Sequence, residues 1–178
     1  MKQFVTLSVA AVLLAFGSAV AQTPYAELQT RSIKALSDQQ VADLRAGRGM
    51  GLALAAELNG YPGPSHVLEL ADRLGLSPDQ RASVERLFDS MKAEAVPLGS
   101  KLIEQEADLD TQFASHTVTP ESLKASTAAV AATQGALRET HLKYHLSTAA
   151  LLSSGQMQRY AELRGYGGQA APMQLHHH

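Results

Sequence analysis

The sequence contains no cysteine in 178 residues. Disulfide bonds are therefore excluded, and so are thiolate catalysis and zinc sites built on cysteine. If the chain works in an oxidising compartment, packing alone must hold its fold. The 157 residues that would remain after removal of residues 1–21 are enough for a single domain with its own hydrophobic core.

Aromatic residues and surplus positive charge are also scarce. The chain has no tryptophan, and Phe and Tyr make up 5% of it. Without residues 1–21 it carries 14 basic and 17 acidic side chains, a net charge of −3 with neutral histidines. A nucleic-acid-binding surface needs basic clusters and, for single strands, stacking platforms. We therefore expect no nucleic-acid partner.

The one long apolar run lies at the N-terminus. Residues 4–16 are mostly apolar, follow Lys2, and lead to the small-x-small pattern Ala19-Val20-Ala21. This arrangement predicts a secretory signal peptide over residues 1–21, cleaved before Gln22, and a periplasmic protein with no transmembrane span after cleavage. The other end, residues 165–178, is predicted to be a disordered tail whose three terminal histidines are either native or an added tag.

A short pattern, Leu-Ser-x-x-Gln, occurs three times. Ser37, Ser77 and Ser153 each precede a glutamine by three residues. This spacing predicts capping boxes, in which the serine accepts from the N3 amide and the glutamine reaches back to the N-cap amide. Thr119 followed by Pro120 predicts a fourth helix start.

These starts predict an all-α fold. Helices are expected over residues 38–58, 66–74, 78–114, 120–151 and 154–164. The two longest carry apolar residues at 3-4 spacing and are joined by a short turn, which predicts a long antiparallel helical hairpin with shorter helices packed across it. The predicted domains are an N-terminal helical segment (22–65) ending in a Pro/Gly turn and a hairpin domain (66–164). Gly47 and Gly51, four apart, either clear one helix face for close packing, or together with Gly49 they break the first helix.

The signal peptide, the absence of cysteine, the hairpin and the repeated Leu-Ser-x-x-Gln boxes together resemble the LTxxQ-motif periplasmic family. This family includes Spy/CpxP-like stress proteins, the zinc-resistance-associated protein and CnrX-type heavy-metal sensors. The resemblance covers about residues 66–164. It implies an envelope-stress protein, often a homodimer, that senses or binds metal, chaperones unfolded periplasmic proteins, or regulates a membrane sensor protein.

His141 and His145 are the clearest candidate metal ligands, because residues four apart on a helix lie on one face. A helical-wheel projection places the pair at the edge of the packing seam of the helix predicted over residues 120–151. The CnrX-type resemblance implies that His141 matches the first residue of a late-helix ligand pair, with His145 in place of methionine. It also implies that His66 and Glu69 are the ligands from an earlier helix.

Two interpretations of these residues remain open: a site for zinc, nickel or cobalt, and ordinary polar side chains on a partly exposed face. No catalytic constellation or organic-cofactor motif is found, so we expect a non-enzyme. The favoured function is metal binding in metal or envelope-stress sensing or resistance. The alternative is an ATP-independent chaperone or sensor-kinase regulator without a metal site.

Overall fold

The structure is a computed structural model that describes residues 25–166. The predicted signal peptide and nearly all of the predicted tail lie outside these residues. Within them, the all-α prediction is confirmed. After a short 3-10 helix (Ala26–Thr30), the elements are α1 (Asp38–Arg45), α2 (Leu54–Glu57), α3 (Pro64–Glu69), α4 (Ala71–Leu74), α5 (Pro78–Ala114), α6 (Pro120–Ala149) and α7 (Ser154–Arg164).

The predicted helix starts are confirmed. Ser37, Ser77 and Ser153 cap α1, α5 and α7 in complete capping boxes, and Thr119 caps α6 with Ser122 as its N3 partner. The second and third boxes also bind each other. The side-chain amides of Gln80 and Gln156 exchange two hydrogen bonds of 3.0 Å. The repeated motif therefore both starts α5 and α7 and joins their N-terminal ends.

The prediction of one continuous first helix was wrong. Residues 46–53 form turns that separate α1 from α2. Gly47, Met50 and Gly51 have φ angles of 65°, 43° and 82°, a left-handed conformation that a right-handed helix cannot contain. The alternative interpretation of this glycine-rich segment, a helix break, is the one that the structure confirms.

The predicted short helix over 66–74 also differs from the structure. It begins at Pro64, whose missing N–H costs nothing at the first position, and it divides at Leu70 into α3 and α4. α3 therefore spans the predicted boundary between residues 65 and 66. The last turn of α6 ends at Ala149, two residues before the predicted end.

The hairpin of α5 and α6 provides the frame on which the other elements pack. Its core is shared with the N-terminal segment, because Ile33 and Leu44 are buried against Leu102, Ile103 and Leu137. A second buried cluster joins α3, α4, α5 and α7 through Val67, Leu74, Val84 and Tyr160. Among residues 25–166, no helix combines the length and apolarity needed to cross a bilayer.

Gly99 sets how closely α1 approaches α5. A Cβ at this position would overlap the carbonyl carbon and oxygen of Leu44 at the end of α1. α1 ends next to this contact and the 46–53 turns follow it directly. The contact therefore also fixes where those turns lie on the hairpin.

We predict that Gly99→Ala destabilises the protein by about 3 kcal/mol, because the added methyl group overpacks against backbone that cannot move without displacing α1. The matched control is Gly135→Ala on α6, where a Cβ meets nothing within 4 Å. Relief of the glycine penalty should make that variant about 0.5–1 kcal/mol more stable. Urea unfolding measures both, and equal effects of the two substitutions would contradict the close-approach argument.

Candidate metal centre

The four side chains predicted as metal ligands line one cavity. It has a volume of about 600 Å³ and lies between the 47–51 turns, α2, α3 and the two long helices. His141 and His145 reach it from α6, and His66 and Glu69 reach it from α3. The lining of this cavity therefore includes residues more than 70 positions apart in the sequence.

His141 is buried, with 2% of its surface exposed. The interpretation of this residue as a polar side chain on a partly exposed face was wrong, because the turn containing Gly49 covers the ring, and a Cβ on Gly49 would stand 3.4 Å from Nδ1. Among the described residues, Nε2 of His141 has no hydrogen-bond partner. Burial lowers the pKa of His141 and favours the neutral ring that binds metal.

His145 is also buried, and its ring orientation is fixed. Nδ1 lies 2.7 Å from the carbonyl oxygen of Tyr61. Because a carbonyl only accepts, Nδ1 must carry the hydrogen, which leaves a lone pair on Nε2. Gly63 packs against this ring, and a Cβ there would stand 2.6 Å from Nε2 and 2.8 Å from Cε1. Glycine therefore allows the chain before α3 to approach the His145 ring this closely.

His66 and Glu69 occupy the more open side of the cavity. The His66 side chain is 37% exposed, and its Nδ1 lies 3.4 Å from Oε1 of Glu57. The same logic assigns the hydrogen of the neutral ring to Nδ1 and the lone pair to Nε2. Glu69 is exposed and accepts a long hydrogen bond of 3.5 Å from Ser65. Both side chains have room to change rotamer.

Glu57 is the residue of this site that sequence reasoning missed. It is 4% exposed and contacts donors from three helices and the turn before α3. Its Oε1 accepts hydrogen bonds from the Tyr160 and Tyr166 hydroxyls. The same oxygen faces His66 and Arg164. Its Oε2 accepts from the Gly63 amide at 3.3 Å and lies 3.7 Å from Nδ1 of His145. The available signal was an acidic residue inside the apolar run LALAAEL.

The hydrogen bonds at Glu57 control its ionisation. Burial alone would raise the pKa of Glu57, but the bonds from His66, Tyr160 and Tyr166 outweigh it and lower the pKa to about 2. Burial and the bond to Glu57 raise the pKa of Tyr160. The pair is therefore a carboxylate and a neutral phenol, and the cavity wall carries a fixed negative charge.

The candidate ligands do not yet form a closed coordination shell. Within residues 25–166, no three His, Asp or Glu side chains already stand close enough together to hold one ion. His141 and His145 are fixed by burial, whereas His66 and Glu69 are partly or fully exposed. Closure would therefore come from rotation of the α3 side chains toward α6.

Comparison with protein-family models, with curated proteins and with solved structures found no match for this chain. The resemblance to the LTxxQ-motif family, including its implied ligand set, therefore stays a prediction.

We predict a pH dependence of stability that originates at Glu57. Folding lowers the pKa of Glu57 from 4.5 to about 2. The stabilisation of the folded state by this carboxylate is therefore complete above about pH 4.5 and is lost as the pH falls toward 2. The shift corresponds to stabilisation on the order of 3 kcal/mol at neutral pH. Glu57→Gln should lose this contribution and show a flatter decline between pH 4.5 and 2. Urea unfolding across that range tests it; parallel pH profiles for the two proteins would contradict it.

Proposed function

We propose that this chain is an exported helical-hairpin protein that binds a divalent transition-metal ion, zinc, nickel or cobalt, in the cavity between α3 and α6. His141, His145 and His66 are the nitrogen ligands, and Glu69 is the oxygen ligand. Metal binding would serve metal or envelope-stress sensing or resistance. The protein acts by binding, without an organic cofactor and without catalysis.

The observation that carries the proposal is the orientation of the imidazoles. Nδ1 of His145 and Nδ1 of His66 are held by the Tyr61 carbonyl and the Glu57 carboxylate. Metal-binding histidines commonly donate the second ring hydrogen to a carbonyl or carboxylate, which fixes the tautomer and directs the other nitrogen to the ion. The third ring, His141, contributes a buried nitrogen without a hydrogen-bond partner, and such a group is costly unless a ligand satisfies it.

The cavity lining carries both acidic and basic side chains: Glu57 and Glu69, and Arg48 and Lys92. The neutral form of His141 is favoured, which keeps its nitrogen lone pair available. Imidazole and carboxylate together suit zinc, nickel and cobalt. Glu57 is a positioning residue in this account, because its oxygens are already engaged by protein donors. Glu69 is free to approach an ion directly.

The position of α3 suggests how binding would be transmitted. α3 is six residues long and follows the Tyr61–Gly63 turn, whose Tyr61 carbonyl orients His145. An ion bridging α3 and α6 would draw the exposed side chains of α3 toward the hairpin. A homodimer partner or a membrane sensor protein could detect that movement, and both partners remain part of this proposal.

A specific observation also supports the alternative, an ATP-independent chaperone or kinase regulator. α2 and its C-terminal cap expose Leu54 and Leu58, at 53% and 59%, and Tyr61 follows at 43%. These apolar side chains would suit an unfolded client. Leu58→Ser, which lies outside the cavity lining, should then weaken suppression of client aggregation while leaving metal binding intact. Absence of protection by the unmodified protein for several clients would contradict the alternative.

For the proposed function, calorimetric titration should detect one zinc, nickel or cobalt ion per chain. The protein for this test has His176, His177 and His178 replaced by serine, so that the terminal histidines cannot contribute. His141→Ala/His145→Ala should lower affinity by more than about 100-fold, since loss of even an outer-shell partner costs 10–100-fold. Unchanged affinity in that double variant would contradict the proposal.

The matched control is His116→Ala. His116 lies exposed in the hairpin turn, outside the cavity, and should leave the affinity unchanged. Gly63→Ala provides a second, independent check, because its methyl group would overlap the imidazole of His145 and displace the ring. It should weaken metal binding even though all candidate ligands are retained.

A further inference from the structure

Two methionines line the same cavity as His141. Met91 reaches it from α5, and Met50 reaches it from the turn between α1 and α2. Neither belongs to the divalent-metal set, and neither sulfur is needed to explain the fold. A thioether is a soft ligand that favours monovalent copper over the divalent ions discussed above.

Met50 has a backbone conformation that methionine disfavours. It lies between two glycines in a tight turn closed by a 2.7 Å hydrogen bond from the Leu52 amide to the Gly49 carbonyl. The central residues, Met50 and Gly51, both have positive φ angles, as in a type I′ turn, where Gly, Asn or Asp is preferred. A methionine here is strained, and such strain is often found where a side chain serves a function.

Packing does not explain this methionine either. Met50 is 41% exposed, so burial of its side chain offsets little of the backbone strain. Its neighbour Gly49 lies against the His141 ring, which places residue 50 beside that histidine. The remaining feature that can account for methionine at this strained position is its thioether, on a residue that lines the cavity.

Met91 supplies the second sulfur from a fixed position. It is a buried residue of α5, with 7% of its surface exposed. His141 lines the same cavity from α6, and among the described residues its buried Nε2 has no hydrogen-bond partner. One buried thioether, one buried imidazole and one thioether on a turn therefore line a common cavity. The chain has no cysteine that would compete for a soft ion.

We propose that the cavity also holds a soft-metal site, in which Met50, Met91 and His141 bind one monovalent copper ion. This inference rests on the proposed function, since both place a metal ion in one cavity and share His141. It extends the ligand class from divalent ions bound by nitrogen and oxygen to a monovalent ion bound by sulfur and nitrogen.

The test is anaerobic competition for Cu(I) against bicinchoninate, using the full chain with His176, His177 and His178 replaced by serine. Met50→Leu and Met91→Leu nearly conserve side-chain volume but remove the sulfur. Each should lower Cu(I) affinity by at least about tenfold, the smaller of the losses seen when metal-site partners are removed. Neither should change zinc affinity. Met157→Leu, on α7 and outside the cavity lining, is the matched control and should leave Cu(I) affinity unchanged.

Met50→Gly separates the functional role of this residue from a structural one. Glycine adopts positive φ without strain, so this variant should melt at a higher temperature than the unmodified protein. It should nevertheless lose Cu(I) affinity as Met50→Leu does. A higher melting temperature with unchanged Cu(I) affinity would overturn the inference.

The outcomes distinguish this inference from the proposed function. If zinc binding depends on His145 but replacing either methionine leaves Cu(I) affinity unchanged, the soft-metal site is overturned and the divalent site is supported. Cu(I) binding that depends on the methionines, without zinc binding, would support the soft-metal site and contradict the divalent one. Cu(I) and zinc affinities both unchanged in His141→Ala would overturn both.

Discussion

The arrangement of this protein depends on one buried carboxylate, Glu57. An ionised carboxylate inside a protein is costly unless donors satisfy it. Its two oxygens accordingly face donors from α3, the turn before α3, α6 and α7. Those contacts hold the C-terminal helix against the N-terminal segment, and they place Nδ1 of His66 against a carboxylate. The group that ties the short helices together thus also helps determine which imidazole nitrogens face the cavity.

Much of the fold could be predicted from local signals. Capping boxes gave the first residues of α1, α5 and α7, because the serine and glutamine that form each box lie within one turn. Apolar spacing in the two long segments predicted the hairpin. The continuous first helix was wrong because three glycines were compatible with either a packed helix or a break. The choice depends on tertiary contact, here the approach of α1 to α5 at Gly99.

The candidate site was predictable only in part, for the same reason. His141 and His145 were identifiable because an i, i+4 pair is a local pattern, and His66 and Glu69 came from a family resemblance. The position of Glu57 inside an apolar run was a signal, but its role was not identifiable, because its tyrosine partners are 103 and 109 residues along the chain. The burial of the histidine pair was missed as well, since it depends on a turn that no helical pattern describes.

The most direct test of the proposed ring orientations and zinc site is long-range ¹H–¹⁵N spectroscopy of the histidine rings, before and after one equivalent of zinc. We expect the Nδ1–H tautomer for His145 and for His66 in the metal-free protein. Zinc should then shift the Nε2 resonances of both, together with that of His141, and leave His116 unchanged. An Nε2–H tautomer at His145, or zinc shifts confined to histidines outside the cavity, would contradict it.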